Sequence, residues 1–192
     1  MTAITLNLNS LIQITSEQFY QLCEEHPELK LERNANGELI VMPPTGGETG
    51  KRNLTAGAQL WIWNDRTELG EVFDSSTGFT LPNGADRSPD VSWVEKSRWE
   101  ALTPEQRDKF IPLCPDFAIE FLSPSDSLKK TQEKMQEYME NGCRLGWLIN
   151  RKKREIEIYR PAQAVEVLQS PLTLSGENVL PGFVLNLQKI WN

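Results

Sequence analysis

The chain is predicted to fold as a mixed α/β domain, on the α/β–α+β border, with a central mixed sheet flanked by helices. Three observations predict it. Hydrophobic periodicity switches between 3.6 and 2 residues along the whole chain. A strongly apolar stretch, DFAIEFL, reads as a strand buried on both faces. A long amphipathic helix, DSLKKTQEKMQEYMENG, follows it immediately and leads into another apolar strand, RLGWLIN.

The elements run in this order. Thr15 and Ser16 cap a short helix, SEQFYQLCEEHP, with Phe19, Leu22 and Cys23 on one face. Two strands, LKLER and ELIVMP, are joined through Asn36-Gly37, the strongest short hairpin signal. The run from Pro43 to Gly47 breaks the sheet. A long helix spans about Glu48 to Leu69, with Leu54, Leu60, Trp61 and Trp63 as its bulk and Gly70 as its stop. EVFDSS, GFTL and DVSWVE, beginning at Asp90, return to strand. Thr103-Pro104-Glu105 caps one of two short helical turns. Ser123-Pro124-Ser125-Asp126 fits an N-cap, a proline at the first helical position and an acid at the third, and Gly142 closes that helix. RLGWLIN and EIEIYRP are strands joined by Arg151-Lys152-Lys153-Arg154. The last stretch is a small hairpin and a terminal segment.

Size and composition bound the functions. The 192 residues suit one domain, 1–192, with a core of about 15–161 and a C-terminal extension of 162–192. Hydrophobic residues make up 39% and charged residues 24%, an ordinary globular balance. No apolar run spans a bilayer, and MTAITLNLNSLIQ lacks the features of a secretory signal. The three cysteines, Cys23, Cys114 and Cys143, are scattered, which argues against a zinc ribbon or a disulfide framework and for a reducing cytoplasm. The one histidine, His26, excludes multi-histidine metal sites. A net charge of −7 counts against a non-specific nucleic-acid binder, but not against a local basic patch or acids that hold metal ions.

Four features carry chemistry. TGGETGKRN follows a strand and opens a helix, where a phosphate loop sits. Thr45 stands where the first Walker glycine belongs and Arg52 where the hydroxyl belongs, so it reads first as a tight turn and a nucleotide loop using Lys51 ranks behind. Asp90 opens one apolar strand, and Glu120 lies inside another. On that strand Phe117, Ile119 and Phe121 point one way, and Asp116, Ala118, Glu120 and Leu122 the other. A glutamate there needs a compensating divalent cation or a lysine or arginine. Lys134 lies at the border of the apolar stripe of its helix (Leu128, Met135, Met139, Gly142), beside Tyr138, where a long side chain can reach over the sheet edge. The Arg151–Arg154 turn reads as a solvated hairpin tip, with contact to a phosphate backbone as its alternative.

GELIVMPPTGGETGKRN, RSPDVSWVEK and DFAIEFLSPSDSLKKTQEKMQEYMENGCRLGWLIN, in that order, resemble the Uma-type family of restriction-endonuclease-like proteins, over about residues 15–161. The resemblance implies the PD-(D/E)xK nuclease fold, with extra N-terminal and C-terminal elements. It implies hydrolysis of phosphodiester bonds in DNA with Mg²⁺, or Mn²⁺, held by Asp90 and Glu120. The lysine of that motif belongs two residues after the glutamate, where this chain has Leu122; Lys134, from the following helix, is the substitute. Glu48 corresponds to an additional helical acid of some members. The resemblance also leaves open a homodimer, for which Trp61, Trp63, Trp147 and Trp191 are interface or core candidates, and a catalytically inactive descendant that keeps the fold as a binding or assembly module.

Overall fold

The computed structural model describes residues 3–124 and 126–192. Ser125, one residue of the expected capping run, and Met1 and Thr2, of the leading segment read for a signal, lie outside the described residues. In chain order the elements are β1 (Ile4–Leu6), α1 (Ser16–Glu25), β2 (Lys30–Arg33), β3 (Leu39–Met42), α2 (Gly47–Thr67), β4 (Gly70–Asp74), β5 (Phe79–Thr80), β6 (Asp86–Arg87), β7 (Val91–Glu95), α3 (Lys96–Glu100), α4 (Pro104–Arg107), β8 (Phe117–Phe121), α5 (Leu128–Glu140), β9 (Leu145–Asn150), β10 (Glu155–Tyr159), β11 (Glu166–Gln169), β12 (Thr173–Ser175), β13 (Val184–Asn186) and α6 (Gln188–Trp191).

The central sheet is mixed, as expected, with strand order β11-β10-β9-β8-β7-β4. Within it, among the described residues, β8 and β9 alone pair in parallel, and α5 is the crossover between them. Period-2 alternation then loads both faces. Phe117, Ile119 and Phe121 join Trp93, Leu145, Trp147 and Ile156 in a cluster roofed by Ala56 and Leu60 of α2. Ala118 and Leu148 face Met135, Tyr138 and Met139 of α5 on the other side. The cluster under α2 is completed from beyond residue 161, by Leu174, Leu180, Phe183, Leu185, Leu187, Ile190 and Trp191. The C-terminal stretch is therefore part of the core, and β11 extends the central sheet.

A second sheet, of order β1-β3-β2-β6-β5, carries α1, whose Phe19 packs on Leu31 and Leu39. The β2–β3 hairpin turns through Gly37 at φ 79°, a backbone conformation open to glycine at no steric cost. Asn34 Oδ1 accepts from the amides of Asn36 and Glu38 inside that turn. Thr15 forms the expected cap of α1, with Gln18 completing a capping box, and Thr103 caps α4 ahead of Pro104.

Two boundaries differ from expectation. The helix α2 stops at Glu68, in the left-handed region at φ 51°, and Gly70 begins β4 instead of terminating the helix. Gly70 is required by a close approach: a Cβ there would lie 2.1 Å from the Val94 carbonyl oxygen. The cap of α5 is Ser127, whose side chain accepts from the Lys130 amide. Ser123 and Asp126 instead close a turn ahead of it: Ser123 N donates to Asp126 Oδ2, and Asp126 N to Ser123 O. The bulk of α2 is also divided: Leu60 is buried and Trp63 half-buried, whereas Leu54 and Trp61 are 74% and 56% exposed.

Candidate active site

The antiparallel register of β7 and β8 pairs Val91 with Ile119. One step further along, Asp90 faces Glu120 across the strands. Each acid is held differently. Asp90 is half-buried. Its Oδ2 accepts the Phe121 amide at 2.8 Å, and its Oδ1 accepts Nδ2 of Asn53, from α2, at 2.8 Å. Glu120 is buried and points to the face covered by α5. Tyr138 donates its hydroxyl to Glu120 Oε1 at 2.9 Å, and Lys134 Nζ lies 2.8 Å from the same oxygen.

Lys134 and Tyr138 are four residues apart, so one face of α5 presents both over the sheet. Lys134 also reaches Glu32 Oε1, on β2, at 2.7 Å. Glu32 is buried, and it receives Arg87 NH1 at 3.1 Å and the Ser88 amide at 3.0 Å. Arg87 Nε in turn bonds Glu137 at 2.6 Å. The result is a buried chain of alternating charge, Glu120–Lys134–Glu32–Arg87–Glu137, linking the two sheets through α5.

The charges within this chain are unequally supported. Burial raises the Glu120 carboxyl; Lys134 pulls it back down, but the nearby carboxylates of Asp90 and Glu32 oppose that, and it settles at about 7. Burial acts on Glu32 in the same sense, but Lys134, Arg87 and the Ser88 amide outweigh it and hold the carboxyl at about 2. Burial lowers the Lys134 ammonium, yet Glu120 and Glu32 more than compensate, so its affinity for its proton rises. Burial, first, and the adjacent Glu120 raise the Tyr138 hydroxyl well above its ordinary value. Lys134 and Tyr138 are therefore fixed hydrogen-bond donors at neutral pH.

The structure thus brings three of the four sequence candidates, Asp90, Glu120 and Lys134, into one place. Among the described residues Glu48 makes no hydrogen bond or ion pair with them. Its exposed side chain pairs with Arg52, one turn along α2, and Arg52 is itself tied to the Ile190 carbonyl. From α2 the residue that reaches Asp90 is Asn53. Its Oδ1 is buried without a hydrogen-bond partner, among the described residues. Leu122, at the usual lysine position, packs against the cluster under α5. Lys51, of the glycine-rich loop, is exposed on α2. Among the described residues no three Asp, Glu, His or Cys side chains gather to hold a metal ion by themselves.

Glu32, Arg87 and Asn53 were not legible as site residues. Glu32 lies on a short hairpin strand, and its partners, on α5 and in the stretch Arg87–Ser88, are distant along the chain.

The family model Uma2, described as "Putative restriction endonuclease", matches residues 16–188. The chain belongs to the Uma2 family. Among solved structures it is similar to one from Anabaena variabilis ATCC 29413, described as a "putative nuclease belonging to DUF820", with a TM-score of 0.77 and 23% identity. That likeness covers 93% of this chain and 97% of the other, and it establishes the shared fold. No curated protein matches. In this Uma2 chain no helix among the described residues is long and apolar enough to cross a membrane.

Proposed function

We propose that this Uma2 chain is a metal-dependent endonuclease that hydrolyses phosphodiester bonds in DNA, with Asp90 and Glu120 as its metal ligands and Lys134 as its catalytic cation. The observation that carries the proposal is the Lys134 ammonium 2.8 Å from Glu120, beside Asp90. It supplies from α5 the cation that Leu122 cannot supply from β8.

The residues suit a hard divalent cation. The donors are all oxygen: two carboxylates on neighbouring strands, with the orphaned Asn53 Oδ1 hydrogen-bonded through its amide to the first of them. Mg²⁺ takes one or two carboxylates and fills its remaining positions with water and substrate phosphate. A bound Mg²⁺ or Mn²⁺ would neutralise phosphate charge and acidify a bound water. Burial, with the carboxylates of Asp90 and Glu32 adding to it, pushes the Glu120 carboxyl up to about 7, and an added cation would offset both effects.

The chain's own groups divide the remaining work. Lys134 keeps its proton, so it acts as a donor to a phosphate oxygen or to the attacking water, not as a base. Tyr138 holds the Glu120 carboxylate in place. Glu32 positions Lys134 from the far side. The exposed Arg151–Arg154 turn follows β9, whose parallel register with β8 puts that turn at the end of the sheet that carries Glu120. Four cations there suit the flanking phosphates of a duplex.

The test is nicking and linearisation of supercoiled plasmid with Mg²⁺, Mn²⁺ or EDTA, comparing wild type with Glu120→Ala and Lys134→Ala. Metal-dependent cleavage lost in both variants is expected. Full activity in Glu120→Ala would overturn the assignment. The apolar Leu122 at the usual lysine position favours one second reading, an inactive binding or assembly module; it predicts plasmid binding without cleavage by any metal.

A further inference from the structure

Among the described residues, the outer face of α2 carries no packing partner. Its inner face is the buried stripe Arg52, Ala56, Leu60 and Asn64. On the opposite side lie Leu54, Trp61 and Ile62, exposed by 74%, 56% and 46%, with Lys51, Ala58 and Asp65 also exposed. At 100° per residue these six fall within about 60° of a line through Ala58. A contiguous apolar stripe of this kind on a helix marks an interaction surface.

The order of residues along the stripe identifies the partner. Reading outward from Ala58, Leu54 lies four residues before and Ile62 four after. Lys51 lies seven before and Asp65 seven after. The stripe is therefore its own complement under a two-fold axis. Laying a second α2 antiparallel across Ala58 sets Leu54 against the second copy's Ile62 and Lys51 against its Asp65, with both relations repeated by symmetry. The smallest side chain falls at the crossing point, where two helices approach most closely. Trp61, set aside from the axis, covers the edge of the contact. Next to α2, β13 adds exposed Val184; Gln59 bonds Asn186 of that strand, and Trp63 bonds the Pro181 carbonyl just before it.

We propose that a second copy of this chain docks on the outer face of α2, forming an antiparallel, two-fold helix pair centred on Ala58. An unrelated partner would have no reason to match both charge ends in reversed order, whereas a second copy does so by construction. The proposal does not depend on the nuclease reading.

Sedimentation equilibrium of the full chain tests it. Wild type is expected at twice the 21.9 kDa monomer mass at high micromolar concentration. Ala58→Glu places two carboxylates across the axis and is expected to give monomer, with far-UV circular dichroism unchanged because the position is exposed. Should that variant misfold, a charge series decides. Lys51→Asp alone and Asp65→Lys alone should each weaken the dimer about tenfold, since two pairs become like-charged. The double variant should restore wild-type affinity. A monomeric wild type would overturn the proposal and leave this face to another kind of partner. A dimer indifferent to Ala58→Glu, or a double variant no tighter than the singles, would overturn it too.

Discussion

Lys134 Nζ stands between two carboxylates, 2.8 Å from Glu120 Oε1 on β8 and 2.7 Å from Glu32 Oε1 on β2. The two acids come from different sheets, and the lysine from the helix that joins β8 to β9. Its position over Glu120 is thus fixed from two sides, by its helix and by Glu32. That arrangement separates what Lys134 does chemically from what it does structurally.

Substituting Lys134 by arginine keeps the charge but not the compact ammonium. Lys134→Arg is expected to fold and to bind DNA with near wild-type affinity, while single-turnover cleavage falls by about 10²–10³-fold, the loss of one aligned donor. Rapid-quench cleavage measured beside fluorescence anisotropy separates the two. Equal losses in binding and cleavage would assign Lys134 to DNA affinity alone.

Glu32 serves two buried cations at once, and removing one partner of such a network costs about 3–5 kcal/mol. Glu32→Gln is expected to lower Tm by roughly 10 °C at neutral pH. The wild-type contribution follows from a carboxyl held at about 2, below its ordinary value. It is present above about pH 4.5 and disappears as pH falls toward 2. The difference in urea midpoint between wild type and Glu32→Gln should shrink over that acid range; a constant difference would contradict the ionic account.

Glu120 behaves in the opposite sense. Its carboxyl, pushed up to about 7, leaves the folded chain holding more protons than the unfolded one between about pH 4.5 and 7. The stability it contributes is present below that window and is lost as pH rises through 7, a change on the order of 3 kcal/mol. Glu120→Gln should remove this slope. A divalent cation held by Glu120, as proposed, would favour the ionised form, so Mg²⁺ should raise the Tm of wild type at pH 8 but not that of Glu120→Gln. Thermal melts at pH 5 and pH 8, with and without Mg²⁺, give all four comparisons. A Mg²⁺ shift that persists in the glutamine variant would place the ion elsewhere.

Gly70→Ala puts a Cβ against the Val94 carbonyl and the Trp93 ring, at 2.1 and 2.5 Å. Neither neighbour is the free end of a flexible side chain, since Trp93 is buried and donates its indole N–H to Asn64. We expect a loss of about 3 kcal/mol or more, at the upper end of overpacking effects, visible as a drop in urea midpoint. A neutral substitution would show that β4 can move away from β7.

Much of the scaffold was legible because its causes are local. Asn36-Gly37 makes a hairpin from the conformational freedom of one glycine. Thr15 with Gln18 and Thr103 with Pro104 make helix starts within a single turn of chain. The alternation of DFAIEFL sent Glu120 to the face opposite Phe117 and Ile119, and the helical wheel put Lys134 beside Tyr138 at the edge of the stripe. Two local readings failed. The cap expected at Ser123 closes a turn instead, and Ser127 caps the helix. Gly70 looks like a helix stop, yet its reason for being glycine is Val94, on the neighbouring strand.

The sequence by itself determined the elements, the faces they present, and the identity of Asp90, Glu120 and Lys134 as candidates, because those follow from backbone sterics and periodicity over a few residues. Only the tertiary structure decided which charges compensate which. Glu32 pairs with Lys134 because β2 lies beside α5 and Arg87, and Glu48 pairs instead with Arg52, one turn away on its own helix. Burial and pairing set a carboxylate's behaviour, and both depend on neighbours that are distant along the chain and adjacent only after folding.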